Sequence, residues 1–447
     1  MKIAMMTNNY KPFVGGVPIS IDRLATELRR LGHEVYIFAP SFEGEEEEAY
    51  VIRYHSLKKK LKKEFTIPNI FDPIIEEKFR ELSFDLIHVH HPMLIGYIAR
   101  HLGRKYNVPV VLTYHTRYEH YLHYLKPFER KKNSGVDIGP MDNPELGALR
   151  RRLVSAGKES LVAAHNRLVI NHCSMVFAPT MSMKEYLLEH GTVTDIGILP
   201  TGIPQEEFEY DPALSASLRE RYVGDADYLF CTVSRLEKEK NIEFLLEGLK
   251  LFKECKGGRF RLLIIGDGSR RELLTEQVHK LGLEHNVTFC GRIPHEELRH
   301  YYHASDAFLF ASTSETQGIV LLEAMAAGLP IVAVKASGVQ DVVVDGWNGY
   351  LTAAEVREWT NKLLLLIDQP CLREKMKEHA FKGAREYLSS NIANRALQYY
   401  QNILYYKRMD PEYEYANSYE SAGGLISYLP ENNRANRYGR VKKQRTN

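Results

Sequence analysis

The feature that most constrains this chain is an alternation that runs, stops and starts again. "KIAMMT" at the N-terminus reads as a short buried strand. A Gly-rich loop, "NNYKPFVGGVP", follows it. Val17, Ile21, Leu24, Leu28 and Leu31 then recur at helical spacing, and Gly32 supplies a helix stop. "EVYIFAP", "YVIRYH", "DLIHVHH", "VPVVLTYHT", "SMVFAPT" and "IGILP" are further strand candidates, with helical segments between most of them. After "LPTGIPQEEFEYDP" (199–212), a Pro-rich and acidic linker, the pattern restarts with "YLFCTVSRL", "FRLLIIGDG", "NVTFCG", "AFLFAST" and "PIVAVK". Such alternation predicts parallel sheets covered on both faces, here in two α/β domains in series. The 447 residues are enough for both, since a single core stops growing beyond about 250–300 residues. From about 372 to 408 the pattern is helical, and the aliphatic-poor tail after it is expected to be poorly ordered. Ligands of open α/β sheets sit outside the carboxyl ends of the strands, so the cleft between the domains is the expected site.

Composition excludes several classes. A net charge of +2 gives no reason to expect a nucleic-acid partner. The 5 cysteines are scattered and lack CxxC spacing, which argues against a disulfide framework and a structural zinc site. "MKIAMMTNNYKP" does not read as a signal peptide, and no stretch approaches the roughly 20 apolar residues of a membrane span. A protein that is cytoplasmic, and soluble or surface-bound, is the expectation. The charge runs "EGEEEE" (43–48), "KKKLKK" (58–63) and "RANRYGRVKKQR" (434–445) read first as solvated surface.

Four stretches lie at predicted strand ends. Gly15 and Gly16 let backbone approach a ligand and present N–H groups at a helix start, although ordinary tight turns use the same pair. In "SRLEKEKN" (234–241), Arg235 and Lys240 put two cations where a diphosphate would neutralise them; an exposed loop among Glu237 and Glu239 is the plainer reading. In "LTYHTRYEHYLHY" (112–124), His115 projects from a strand end into a segment dense in Tyr and His. No zinc set follows from those histidines, and sugar or lipid contact fits them better. In "TSETQGIVLLEAMAAGLP" (313–330), Glu315 falls in a loop and Glu323 one to two turns into a helix stopped by Gly328 and Pro330. Glu315 alone could be a helix-capping acid; Glu323, inside an apolar run, is harder to dismiss. Gly318 and its neighbours offer free N–H groups at that helix start.

Taken together these residues resemble the retaining glycosyltransferases of family 4, which have the GT-B fold of two facing Rossmann-like domains. The E-x7-E of Glu315 and Glu323, the Arg235/Lys240 pair, the Gly15-Gly16 loop and His115 match in the family's order, over roughly residues 1–405. "YHTRYEHYLHY" and "SETQG" look most like the bacterial diacylglycerol glucosyltransferases, with Gln317 where many other members carry Phe.

The resemblance implies an acceptor domain over 1–205, a nucleotide-sugar domain over 206–385, a helix over 386–408 crossing back to the first domain, and a flexible basic tail over 409–447. It implies catalytic roles for His115, Arg235, Lys240 and Glu315. Arg235 and Lys240 would hold the donor diphosphate and replace a metal, so that no cofactor is required. Glu323 would bind ribose hydroxyls. Glu315 would lie near donor-sugar hydroxyls with the backbone of Gly318, Ile319 and Val320 beside it, and His115 near the 6-hydroxyl. Gly16 would approach the phosphates, and Gly266 and Arg292 would border the nucleotide pocket. The implied reaction moves a hexose, glucose from UDP-glucose, to a membrane lipid such as diacylglycerol, by front-face attack through an oxocarbenium-like ion pair. "KKKLKK", "RKK" (130–132), "RRR" (150–152) and the mixed apolar and basic segment 121–170 would bring the first domain to an anionic membrane surface. A soluble sugar, small-metabolite or phosphatidylinositol acceptor is the alternative, and a non-catalytic nucleotide-sugar-binding module is the reading from another class. A dehydrogenase ranks below these, because no G-x-G-x-x-G follows the first strand.

Overall fold

The computed structural model describes residues 1–13, 15–42, 48–61, 65–117 and 166–409, with the backbone alone over 57–61 and 65–67. The aromatic and His-rich run from Tyr118 onward, the runs "KKKLKK", "RKK" and "RRR", most of 43–48 and of 121–170, and the tail lie outside the described residues or side chains.

Seven parallel strands form the first sheet, in the order β3 (Val51–Tyr54), β2 (Glu34–Pro40), β1 (Lys2–Met6), β6 (Leu86–Val89), β7 (Val110–Thr113), β8 (Met175–Ala178), β9 (Ile196–Ile198). A two-stranded antiparallel hairpin, β4 (Ser56–Leu61) and β5 (Phe65–Pro68), is inserted after β3. The second sheet has six parallel strands, β12 (Val287–Gly291), β11 (Phe260–Ile265), β10 (Tyr228–Val233), β13 (Ala307–Phe310), β14 (Ile331–Val334), β15 (Gly349–Thr352). "LIHV" and "VVLT" are buried at every position, as strands covered on both faces must be. Helix α1 (Gly16–Arg30) buries Ile21, Leu24 and Leu28 on the first sheet, and Gly32 leaves it with a φ of 83°, where a side chain would be strained. Asp72 caps α2 (Pro73–Leu82) by accepting from the Ile74 N–H at 3.1 Å, and Pro73 opens that helix where no N–H is needed.

These are the two facing Rossmann-like units that the resemblance implies. The sequence reading missed β15 and the β4–β5 hairpin, all short strands. The periodicity over 372–408 is helical throughout, and the resemblance sets a separate helix over 386–408. The structure breaks the stretch into helices Pro370–Arg385 and Ser389–Met409, because the chain crosses back between domains there. Ile203 N–H donates to Tyr387 O at 2.7 Å and Ser389 N–H to Ile203 O at 2.9 Å, so the two interdomain crossings pair with each other. The C-terminal helix then packs Ile392, Ala393, Ala396 and Tyr400 into the core that holds Ile3, Met5, Ile21 and Leu28.

Candidate functional site

Two helix starts face each other across the cleft. The loop after β1 feeds α1, and the loop after β13 feeds the Ile319–Ala326 helix, at the point where the second sheet changes strand order. A Cβ placed on Gly16 would lie 3.6 Å from Ile319 Cδ1. The opening N–H groups of both helices lack partners four residues back and carry partial positive charge, an arrangement suited to an anion. Gly318 sits at φ +75°, and a Cβ there would also be 2.8 Å from Leu321 Cδ1. Gly15 is extended, so its backbone would admit any residue, but a Cβ would press on the Phe13 ring at 3.0 Å.

Beside this gap Lys240 Nζ donates to Glu315 Oε1 at 2.5 Å, with the two side chains only 15% and 14% exposed. The loops after β10 and β13 are tied together by the Thr313 N–H donating to Glu239 O at 3.0 Å, which is why residues 75 positions apart meet. Arg235 is half-exposed, with Nη2 3.2 Å from Glu239 Oε1. Gly266 lies at φ +128°, and a Cβ there would be 1.9 Å from Ser234 O, so its absence of a side chain lets β11 close on the strand end that carries Arg235. Arg292 is exposed after β12, an edge strand two places from β10.

Glu323 is 2% exposed and reaches across the domain boundary. Its Oε1 accepts from Arg23 Nη2 of α1 at 2.9 Å and lies 3.0 Å from His295 Nε2, while Tyr302 OH is 3.4 Å from Oε2. Glu207 joins the group, its Oε1 3.6 Å from both Arg23 Nη2 and His295 Nδ1. Burial pushes the Glu323 carboxyl up, but the His295 hydrogen bond and the Arg23 charge outweigh it and hold the acid below its usual range. Burial and the Glu323 charge raise Glu207 to about 7, and the Glu323 hydrogen bond raises His295. Among the described residues Glu207, His295 and Glu323 form the one trio whose ligand atoms could hold a metal ion. The Arg23 guanidinium already stands between its two carboxylates, so a cation's place there is filled by the chain itself.

His115 is half-buried at the end of β7. Its backbone oxygen accepts from Thr316 Oγ1 of the opposite domain at 2.7 Å, and its Nε2 is 2.9 Å from His90 Nδ1. Arg117 Nη2 donates to Ser337 Oγ at 3.0 Å, and Thr180 Oγ1 to Thr316 O at 2.9 Å, so the loops flanking Glu315 and His115 touch directly. Gln317, which the sequence offered as a mark of the acceptor branch, is buried and faces no opening. Its Oε1 accepts from the Thr201 N–H at 2.7 Å and its Nε2 donates to Thr201 O at 3.1 Å, a pairing with the interdomain linker that a Phe could not make.

Sequence reasoning brought Gly16, Ile319, Lys240 and Glu315 together, and it missed Arg23, Glu207, His295 and His90. Arg23 lies outside the apolar α1 stripe and Glu207 within the acidic linker, where charge reads as solvent-facing; neither carries a local signal. Gly338 was also missed. At φ +79°, a Cβ on it would lie 2.7 Å from Thr316 C and 2.8 Å from Glu315 O, so it floors the loop that carries Glu315.

Comparison with known proteins gives this geometry a family context. Residues 14–207 match the family described as Glycosyltransferase Family 4, and residues 218–383 match Glycosyl transferases group 1. An Alpha-monoglucosyldiacylglycerol synthase of Streptococcus pneumoniae is 28% identical over 412 residues, covering 90% of this chain and 86% of its own length. A GDP-mannose-dependent alpha-mannosyltransferase of Corynebacterium glutamicum is 24% identical over 414 residues, covering 90% and 89%. Among solved structures, Anabaena Alr3699/HepE in complex with UDP superposes with a TM-score of 0.69 at 18% identity, over 90% of this chain and 100% of that one. That likeness is one of fold.

Proposed function

Because this chain belongs to the glycosyltransferases of family 4 and is a hexosyltransferase, we propose that it moves glucose from UDP-glucose to a membrane lipid such as diacylglycerol, with retention at the anomeric carbon and without a metal. The observation that carries the donor half is the facing pair of helix starts at Gly16 and Ile319 with Lys240 beside them. A diphosphate set there meets two sets of N–H groups and one ammonium, and Arg235 adds a second cation as charge grows on the leaving group. Glu315 is left to accept from sugar hydroxyls once phosphate draws Lys240 away. Glu323 offers Oε2 to a ribose diol while Arg23 and His295 keep it charged through Oε1. The acceptor hydroxyl attacks the face from which the diphosphate departs. Its proton passes to a leaving phosphate oxygen, so the step balances without a protein nucleophile.

The lipid half is supported by the printed name of the Streptococcus pneumoniae relative and by the basic runs of the first half of the chain. Those runs would seat the enzyme peripherally on the inner face of the cell membrane. No described helix is long and apolar enough to cross a membrane. The second reading keeps the fold and donor chemistry but changes the acceptor, which the printed name of a D-inositol 3-phosphate glycosyltransferase of Frankia alni supports, while the Corynebacterium relative's name supports a different sugar.

Incubation with UDP-glucose and diacylglycerol vesicles, followed by mass spectrometry of the lipid extract, tests the proposal. A monohexosyl diacylglycerol is expected. A product found only with GDP-mannose would sink the UDP-glucose reading; a product found only with a soluble acceptor, or a protein that stays in the supernatant when anionic vesicles are pelleted, would sink the lipid reading.

A further inference from the structure

A row of histidines, buried at His88 and His90 and half-buried at His115, leads from the C-terminal helix to the cleft. His88 on β6 has Nδ1 2.7 Å from Tyr400 OH and Nε2 2.7 Å from Thr113 Oγ1. Its ring stacks on that of His90 at 4.3 Å, and His90 stacks on His115 at 5.2 Å. His90 is 1% exposed, and its Nδ1 lies 2.9 Å from His115 Nε2. Desolvation, reinforced by the neighbouring histidines, drives His90 and His115 well below 6.5, so both rings are neutral at physiological pH. One proton therefore sits between the two facing nitrogens; the ring that donates it has a bare second nitrogen, and the ring that accepts it carries its own proton on its second nitrogen.

The other nitrogen of His90 decides who owns that proton. His90 Nε2 is buried with no hydrogen-bond partner among the described residues. If His115 donated through Nε2–H, neutral His90 would carry its own proton on Nε2, as an orphaned buried N–H. If His90 donates through Nδ1–H, its Nε2 is a bare lone pair instead. Orphaned buried N–H groups are rarer and costlier than unused acceptors. His90 also borders a small cavity whose rim holds Ser389, itself with an unpartnered buried Oγ, the hydroxyls of Ser20 and Thr201, and the Arg23 guanidinium, which can only donate.

We propose that His90 is the positioning residue of the site: it donates to His115 Nε2, fixes His115 as the Nδ1–H tautomer, and so makes His115 a hydrogen-bond donor toward the sugar. This rests on the reading of His115 as the donor-sugar residue. A neutral donor suits that place, because an imidazolium would oppose the positive charge growing on the sugar ring in the transition state.

Nitrogen-15 NMR of ring-labelled histidines tests the tautomer without any reaction, with His115→Asn assigning the signal. Wild type is expected to show a protonated Nδ1 and a bare Nε2 on His115. Protonation on Nε2 overturns the proposal whether or not the protein turns over UDP-glucose. With UDP-glucose and diacylglycerol, His90→Phe keeps the stack and removes the bond, and should lower kcat roughly ten- to a hundredfold with little change in the donor KM. His90→Asn, whose amide N–H can replace Nδ1–H, should recover most of that loss and keep His115 protonated on Nδ1. Equal losses in the two variants overturn the positioning role, and if His90→Phe fails to fold, His90→Asn still reads the tautomer. A wild type that shows Nδ1–H but forms no glycolipid refutes the functional reading and leaves the tautomer standing. A donor carrying fluorine in place of the 6-hydroxyl should outperform its 6-deoxy counterpart, since fluorine accepts where hydrogen cannot; the reverse order contradicts a donating His115.

Discussion

Lys240 shares a bond with Glu315 that a phosphate oxygen would compete for, which makes it a sensitive residue to remove. Lys240→Ala should lower kcat/KM for the sugar donor by roughly 10²–10³, the usual cost of removing a group that meets developing charge. Steady-state kinetics with varied UDP-glucose measures this, and a loss under about threefold would make the pair a structural one. Lys240, Glu315 and His115 were legible in the sequence because each follows an apolar strand run, and polar residues at strand ends have one place to point. That Lys240 touches Glu315 was not legible, since it depends on the backbone bond from Thr313 to Glu239. Arg23, Glu207 and His295 were hidden for the opposite reason. Each reads locally as surface, and only the docking of two domains buries them.

Helix α1 meets the second domain through charge. The contact of Arg23 with Glu207, His295 and Glu323 ties it to the helices that begin at His295 and Ile319. Its pH response follows from the shifts. Glu207 is raised by burial and by the Glu323 charge, so it binds its proton more tightly in the folded chain, and stability falls as pH climbs from the ordinary carboxylate range to about 7. His295 is raised by Glu323, so its contribution is full below 6.5 and is lost as pH rises through its folded value. Glu323 is lowered, and its contribution fades only in acid. The contact should therefore be firmest in mild acid and loosen toward pH 8. Melting curves at pH 6 and pH 8 should show the wild type more stable at pH 6, with Glu207→Gln narrowing the gap; each kcal/mol corresponds to about 2–4 °C in domains of this size. A variant with the same gap as wild type removes Glu207 from the account. At this scale the sequence read most strands and the α1 stripe correctly, since period and strand-end chemistry are local. It missed β15, which is four residues at a sheet edge. Periodicity alone ran through the helix break near Tyr387, where only the resemblance set a boundary, because the break is held by a bond to Ile203, far away in the chain.

Across the whole molecule, the first domain is completed by the last described helix. Burying Ile392 and Tyr400 contributes about 1.5–3 kcal/mol each, against a usual domain margin of about 5–15 kcal/mol. A chain ending at Leu388 should therefore lose the first domain's fold and keep the second. Both tryptophans, Trp347 and Trp359, lie in the second domain, so their fluorescence reports it separately. Their melting transition is expected to stay near its full-length position while amide exchange shows the first sheet opened; protection of β1 and β6 in the shortened chain would refute this. The sequence showed two domains and a crossing between them, but nothing local marked Tyr400 as a neighbour of His88. The returning helix also sets an order in time. Residues near Met1 leave the ribosome long before Tyr400, and their core lacks its last layer until that residue has been made. The first sheet, made before the second, is thus the one that must wait for its last helix to settle, and for that interval it depends on whatever shields it from other chains.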